Sequence, residues 1–141
     1  HPVPRQFRRH QSTPMYALDT MRALASKGEV VTLRSGEVLF RTGEIGSTMY
    51  GIVEGSVRLT WTGASGNDGH EDIPAGHVFG AGALVMGDHQ RLGTAIAQED
   101  CRLIEMTREK FLFAVQEAPM FAIELLASID ERLRDIKIAN S

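Results

Sequence analysis

The sequence predicts a mainly β domain with flanking helices: an antiparallel, jelly-roll-like β-roll followed by two C-terminal α-helices. Three observations predict it. Fourteen glycines in 141 residues imply many tight turns. Short runs rich in Val, Ile, Leu and Thr recur between Gly, Ser, Asn and Asp, the pattern of an all-β roll, barrel or sandwich. The apolar period then changes to helical after Thr107.

The elements follow in chain order. Residues 1–14 hold Arg5, Arg8 and Arg9, three prolines and no acid, and are expected to be a flexible basic arm. The chain starts at His1 without Met, so part of the arm is a candidate remnant and Met15 and Met21 are alternative natural starts. Residues 15–141 are expected to form one domain, with the roll over about 28–106 and helices over about 107–138. Leu18, Met21 and Leu24 are helically spaced, and Gly28 is a stop signal. Strands are expected at Val30–Leu33, Glu37–Phe40, Met49–Val53, Val57–Trp61, His70–Ile73, His77–Phe79, Thr94–Ala97 and Leu103–Met106. Val57, Leu59 and Trp61 alternate with Arg58 and Thr60, which predicts one buried face. Thr107 is placed to cap a helix over Arg108–Glu117. Pro119 suits the first turn of another, running to about Ile138.

Bulk properties narrow the function. A net charge of -3 lacks the basic stripe of a nucleic-acid binder. No apolar run approaches the ~18 residues that span a bilayer, and no signal peptide is visible. The single cysteine, Cys101, permits no internal disulfide and is expected to be buried beside Leu103 and Ile104. A cytoplasmic location is expected. On the last helix, Leu126, Ile129, Leu133 and Ile136 are spaced 3, 4, 3, as in a coiled-coil seam. They predict a homodimer through that helix, with packing on the parent domain as the alternative.

The chemistry concentrates in Gly76–Ala97. Phe79, Gly80, Ala81, Gly82, Ala83 and Leu84 form a small-residue run after a strand, and Arg91 follows a polar turn. Small residues let backbone N–H groups face an anion, and arginine adds a planar, permanently charged fork. The candidate anion site is therefore Phe79–Leu84 with Arg91, and phosphate contact is expected from Arg91 and from the amides of Gly82 and Ala83.

This stretch resembles the phosphate-binding cassette of cyclic-nucleotide-binding domains, the family of bacterial catabolite activator proteins and protein kinase A regulatory subunits. The family reads roughly F-G-E-x-A-L, a turn, then P-R-x-A-T. Here Phe79-Gly80-Ala81-Gly82-Ala83-Leu84 precedes Gln90-Arg91-Leu92-Gly93-Thr94. Upstream, Gly43-Glu44-Ile45-Gly46-Ser47-Thr48-Met49-Tyr50-Gly51-Ile52-Val53-Glu54-Gly55 is similar to G-E-x-G-D-x-M-Y-x-I-x-x-G. Pro74-Ala75-Gly76-His77-Val78-Phe79-Gly80 is similar to P-G-D-x-F-G. The resemblance covers about residues 28–138. It implies a β-roll closed by helices, the last of which makes a dimer contact in many relatives, and a ligand site that adds Leu92, Gly93 and Thr94 to Phe79–Leu84 and Arg91, with a helix of the C-terminal pair as cover.

The resemblance also implies what is missing. The cassette Glu that accepts from the ribose 2′-hydroxyl corresponds to Ala81, and the small residue after the arginine is Leu92. Losing a hydrogen bond involving a charged group costs about 1.5–3 kcal/mol, about one to two decades of affinity. The expectation is a non-enzymatic sensor or regulatory module with weak or lost affinity for cyclic AMP and cyclic GMP. Another phosphate-bearing or anionic ligand remains a candidate, with no cofactor and no metal. The alternative is a scaffold for an unknown protein partner. A metal-dependent cupin-type enzyme ranks lower: His70, His77 and His89 lack the H-x-H pairing and are expected on the surface or in turns. No Gly-x-Ser-x-Gly elbow supports a hydrolase. The sequence ends at Ser141, where a helix-turn-helix would begin in a transcription factor of this type, so no DNA-binding domain is expected.

Overall fold

The computed structural model describes residues 13–139; the first twelve residues of the expected arm lie outside them. Helix α1 spans Thr13–Leu24, so it begins two residues inside the expected arm and puts Pro14 in its first turn, where a missing N–H costs nothing. It ends before the expected stop, and a short 3-10 turn over Lys27–Glu29 leads into the roll.

Eight strands follow: β1 Val30–Leu33, β2 Val38–Phe40, β3 Thr48–Glu54, β4 Ser56–Thr62, β5 Asp68–Pro74, β6 Val78–Phe79, β7 Thr94–Ala97 and β8 Cys101–Thr107. Between β6 and β7 sits α2, a single turn over Gly82–Val85. The chain closes with α3, Arg108–Glu117, and α4, Pro119–Ala139. The Thr107 side chain accepts from the Lys110 amide at 3.2 Å, the N-cap that starts α3.

The strands form two antiparallel four-stranded sheets, ordered β1-β8-β3-β6 and β2-β7-β4-β5. The β-roll with C-terminal helices is thus the observed architecture. Alternation along β3 divides the core. Tyr50 and Ile52 point between the sheets, where they join Phe40, Val57, Ile73, Phe79, Ala95 and Leu103. Met49 points to the other side, into a cluster with Leu18, Met21, Val78, Leu84, Met106 and Phe121. The result is three layers: the β2-β7-β4-β5 sheet, the β1-β8-β3-β6 sheet, and the helices. Cys101 is buried at the far end of the roll, its thiol donating to the carbonyls of Ser56 and Glu99.

Among the described residues no single helix is both long and apolar enough to cross a membrane; α3 and α4 meet that length and composition only as a pair, bent by 113° at the break between them.

Candidate functional site

The turn between α2 and β7 folds back across the roll. Gly43 donates to the Arg91 carbonyl and Arg91 to that of Glu44, both at 2.8 Å. Gly46 donates to the His89 carbonyl at 2.8 Å. These bonds lay residues 89–91 against the loop before β3 and aim the Arg91 side chain inward. Gly46 is required there, because a Cβ on it would lie 2.6 Å from the Arg91 Cζ. His89 adopts φ 55, the one non-glycine in the left-handed region among the described residues. Its Nδ1 lies 2.8 Å from the Ala83 carbonyl. A carbonyl only accepts, so Nδ1 carries the proton.

Arg91 is 5% exposed. One Nη donates to the Gly80 carbonyl at 3.0 Å. The other donates to the Thr48 carbonyl at 2.8 Å and to the Thr48 hydroxyl at 3.2 Å. The guanidinium lies over the Phe40 ring, 4.2 Å from its centroid, with the Tyr50 ring at 5.7 Å, attractive placements for a cation. Among the described residues it forms no ion pair. Burial lowers its proton affinity, partly offset by Tyr50, Glu105 and Glu44, but an arginine stays charged. A permanent cation therefore sits almost out of water without a carboxylate partner.

A cavity of about 210 Å³ opens on this group. It brings together six of the sequence-predicted residues, Gly80, Gly82, Ala83, Arg91, Leu92 and Gly93. The other four lie elsewhere. Phe79 stacks on Tyr50 in the core with centroids 5.7 Å apart. Leu84 is buried and Ala81 packs toward the helices. Thr94 turns to Thr42, accepting from its amide at 3.0 Å. The Ala83 amide is already engaged with the Gly80 carbonyl at 3.4 Å. Gly82 is open, with nothing within 4 Å of where a Cβ would lie. Gly80 has φ +85, which favours glycine.

Leu92 is 76% exposed and rims the cavity. One expectation needs correction, the helix cover. No residue of α3 or α4 lines the cavity. Helix α4 is fastened elsewhere, through Phe121 and Leu125 in the core and through Arg132, which binds Glu71 on β5 and the Val78 carbonyl. His77 closes the turn through Ala75 and Gly76, its amide donating to the Pro74 carbonyl at 3.4 Å; it is half-buried, and its Nδ1 is sealed from water without a hydrogen-bond partner. It lines a larger cavity, about 640 Å³, between β5 and the end of α4.

The sequence reading missed Phe40, Leu59, Met86, Asp88 and Gln90, which also line the smaller cavity, and Thr48 and Tyr50 behind it. Alternation in β2 and β3 was the available signal for Phe40 and Tyr50. On α4, Leu126 and Leu133 are exposed at 65% and 48%, whereas Ile129 and Ile136 are half-buried against their own domain. Among the described residues no three of His, Cys, Asp and Glu come together as a metal site would need.

Two sheets rolled around an inward-facing arginine, with a single-turn helix at the mouth, define a small-ligand regulatory β-roll. The model of the cyclic nucleotide-binding domain matches residues 30–118, and the chain belongs to that family. It is 31% identical over 101 residues to the cyclic AMP receptor protein of Thermus thermophilus, covering 71% of this chain and 46% of that one. It is 31% identical over 111 residues to lysophospholipase nte1 of Neurospora crassa, covering 75% of this chain and 7% of that one. The chain thus spans less than half the length of either curated relative. Among solved structures, the Thermus thermophilus catabolite activator protein superposes with a TM-score of 0.71 at 25% identity, covering 89% of this chain and 61% of that one.

Proposed function

We propose that this domain is a non-enzymatic regulatory module whose cavity is a degenerate cyclic-nucleotide pocket. It binds cyclic AMP and cyclic GMP weakly or not at all, and accommodates a small phosphate-bearing or other anionic ligand. One observation carries the reading: Arg91, a buried cation with no carboxylate partner among the described residues, lines a cavity that Leu92 rims and from which Ala81, at the position expected to hold the sugar, is turned away. The attraction for an anion is retained and the attraction for a ribose is lost. A carboxylate at the rim, Asp88, further weakens the hold on phosphate. The Thermus relative is named for cyclic AMP; the loss at Ala81 is the reason to expect a different ligand here. The cytoplasm is the expected location.

Calorimetry with cyclic AMP and cyclic GMP at micromolar protein tests this. The expected result is no heat or a dissociation constant above about 10 μM; a sub-micromolar constant overturns the reading.

We further propose a homodimer through the exposed side of α4. Leu126 and Leu133 stand on it, and Ile129 and Ile136 at its margin close it against the parent domain. Sedimentation of Leu126→Glu with Leu133→Glu is expected to give a monomer where the parent chain gives a dimer. A parent chain that is already monomeric removes the proposal. Should neither nucleotide nor other anion bind, the scaffold reading takes precedence, with a protein partner as the output.

A further inference from the structure

Behind the cavity, four side chains form a one-way chain of hydrogen bonds. The Arg91 Nη2 donates to the Thr48 hydroxyl at 3.2 Å. Thr48 donates to the Tyr50 hydroxyl at 3.1 Å, and Tyr50 donates to a Glu105 carboxylate oxygen at 3.0 Å. The direction is forced. A guanidinium has only donors, an ionised carboxylate only acceptors, and each hydroxyl a single hydrogen. The strand register supports the arrangement: Tyr50 lies opposite Glu105 and Thr48 opposite Thr107 in the β3–β8 pair. Successive bonds of this kind polarise one another in a poorly solvated interior.

We propose that Glu105 is a positioning residue of the anion pocket. It is the remote counter-charge of Arg91, reached through Tyr50 and Thr48, and it holds the guanidinium against β3 in the ligand-free protein. This inference rests on the pocket reading for its consequence. An anion entering the cavity draws on the same guanidinium, so it competes with the chain that ends at Glu105. The competition is reciprocal: Glu105 weakens the anion, and the anion loosens a bond two residues before the cap of α3. Ligand occupancy is thereby sensed where the roll joins its helices.

The test is NMR of the Arg91 side-chain N–H signals in the full chain, with inorganic phosphate and cyclic AMP as probes. Glu105→Gln keeps an acceptor for Tyr50 and removes the charge. Tyr50→Phe keeps the ring and the charge and removes the link. Both are expected to shift the Arg91 signals and speed their exchange with water, with the backbone spectrum otherwise intact. Thr48→Val is expected to do the same, and Thr48→Ser to restore the parent signals. Phosphate affinity is expected to rise about fivefold in Glu105→Gln, the lower end of measured couplings between linked sites.

Unchanged Arg91 signals in Tyr50→Phe and Thr48→Val overturn the relay, as does a response to Glu105→Gln alone, which is a through-space field. Unchanged phosphate affinity in Glu105→Gln overturns the competition. If the signals respond as expected but neither probe binds any variant, the relay stands and the pocket reading falls.

Discussion

Among the described residues two arginines are taken largely out of water, and they are satisfied in opposite ways. Arg132 on α4 grips Glu71 with two parallel bonds, at 2.7 and 2.9 Å, and adds the Val78 carbonyl at 2.7 Å. Their side chains are 16% and 10% exposed. Arg91 has carbonyls, a hydroxyl and two aromatic rings, but no carboxylate. The first site is closed, with charge and geometry both matched. The second matches geometry and leaves the charge compensated only at a distance. A closed pair fixes where a helix lies; an unmatched cation beside a cavity leaves work for a ligand.

Breaking the closed pair is expected to have the largest effect. Glu71→Ala leaves Arg132 charged, desolvated and unpaired, which costs about 3–5 kcal/mol, about 10 °C or more in melting temperature for a domain of this size. Arg91→Met is expected to cost within about 1 kcal/mol. The carbonyls of Gly80 and Thr48 lose donors, at about 1–3 kcal/mol, but a lone cation no longer has to be buried. Thermal melts of the two variants side by side test the contrast. Equal losses would mean that Arg91 is as structural as Arg132.

The comparison sharpens if the lost half of the pocket is rebuilt. Ala81→Glu with Leu92→Ser restores an acceptor and a hydroxyl near the unmatched cation. Cyclic AMP affinity is expected to rise by about one to two decades over the parent chain, read by calorimetry. No gain would show that the Ala81 side chain stays turned toward the helices, where its methyl packs now, and that the cavity cannot take a ribose.

The difference between the two arginines also explains what could be read from the chain. Strand positions were legible because β-roll alternation and Gly-rich turns are local signals, and all eight runs became strands within two residues at either end. The cap at Thr107 was legible for the same reason. Arg91 stood out only through its glycine-rich company and its similarity to a known cassette. The Glu71–Arg132 pair was invisible: sixty-one residues separate the partners, and each looks like an ordinary surface charge. That pair ties the C-terminal half of α4 to β5, so the expectation that a terminal helix covers the pocket had no local signal to correct it. The chain from Thr48 to Glu105 was hidden likewise, since its closure depends on strand register.

The smallest expected effect concerns His77, next to the closed site. Its ring borders the cavity between β5 and α4, with Arg132 and Asp135 among the lining residues. Burial pushes its pKa below the ordinary 6.5 and Arg132 pushes it the same way, while Glu131, Asp135 and Glu71 pull it back up. Its Nδ1 has no partner that a second proton would satisfy. The folded state thus resists a proton that the unfolded chain accepts. As pH falls through 6.5, the unfolded state binds more protons, and stability drops. Melting temperature is expected to decline between about pH 7.5 and about pH 5.5, and His77→Asn is expected to flatten part of that decline. An unaltered slope in His77→Asn would place the acid sensitivity elsewhere and leave the α4 side of the molecule indifferent to pH.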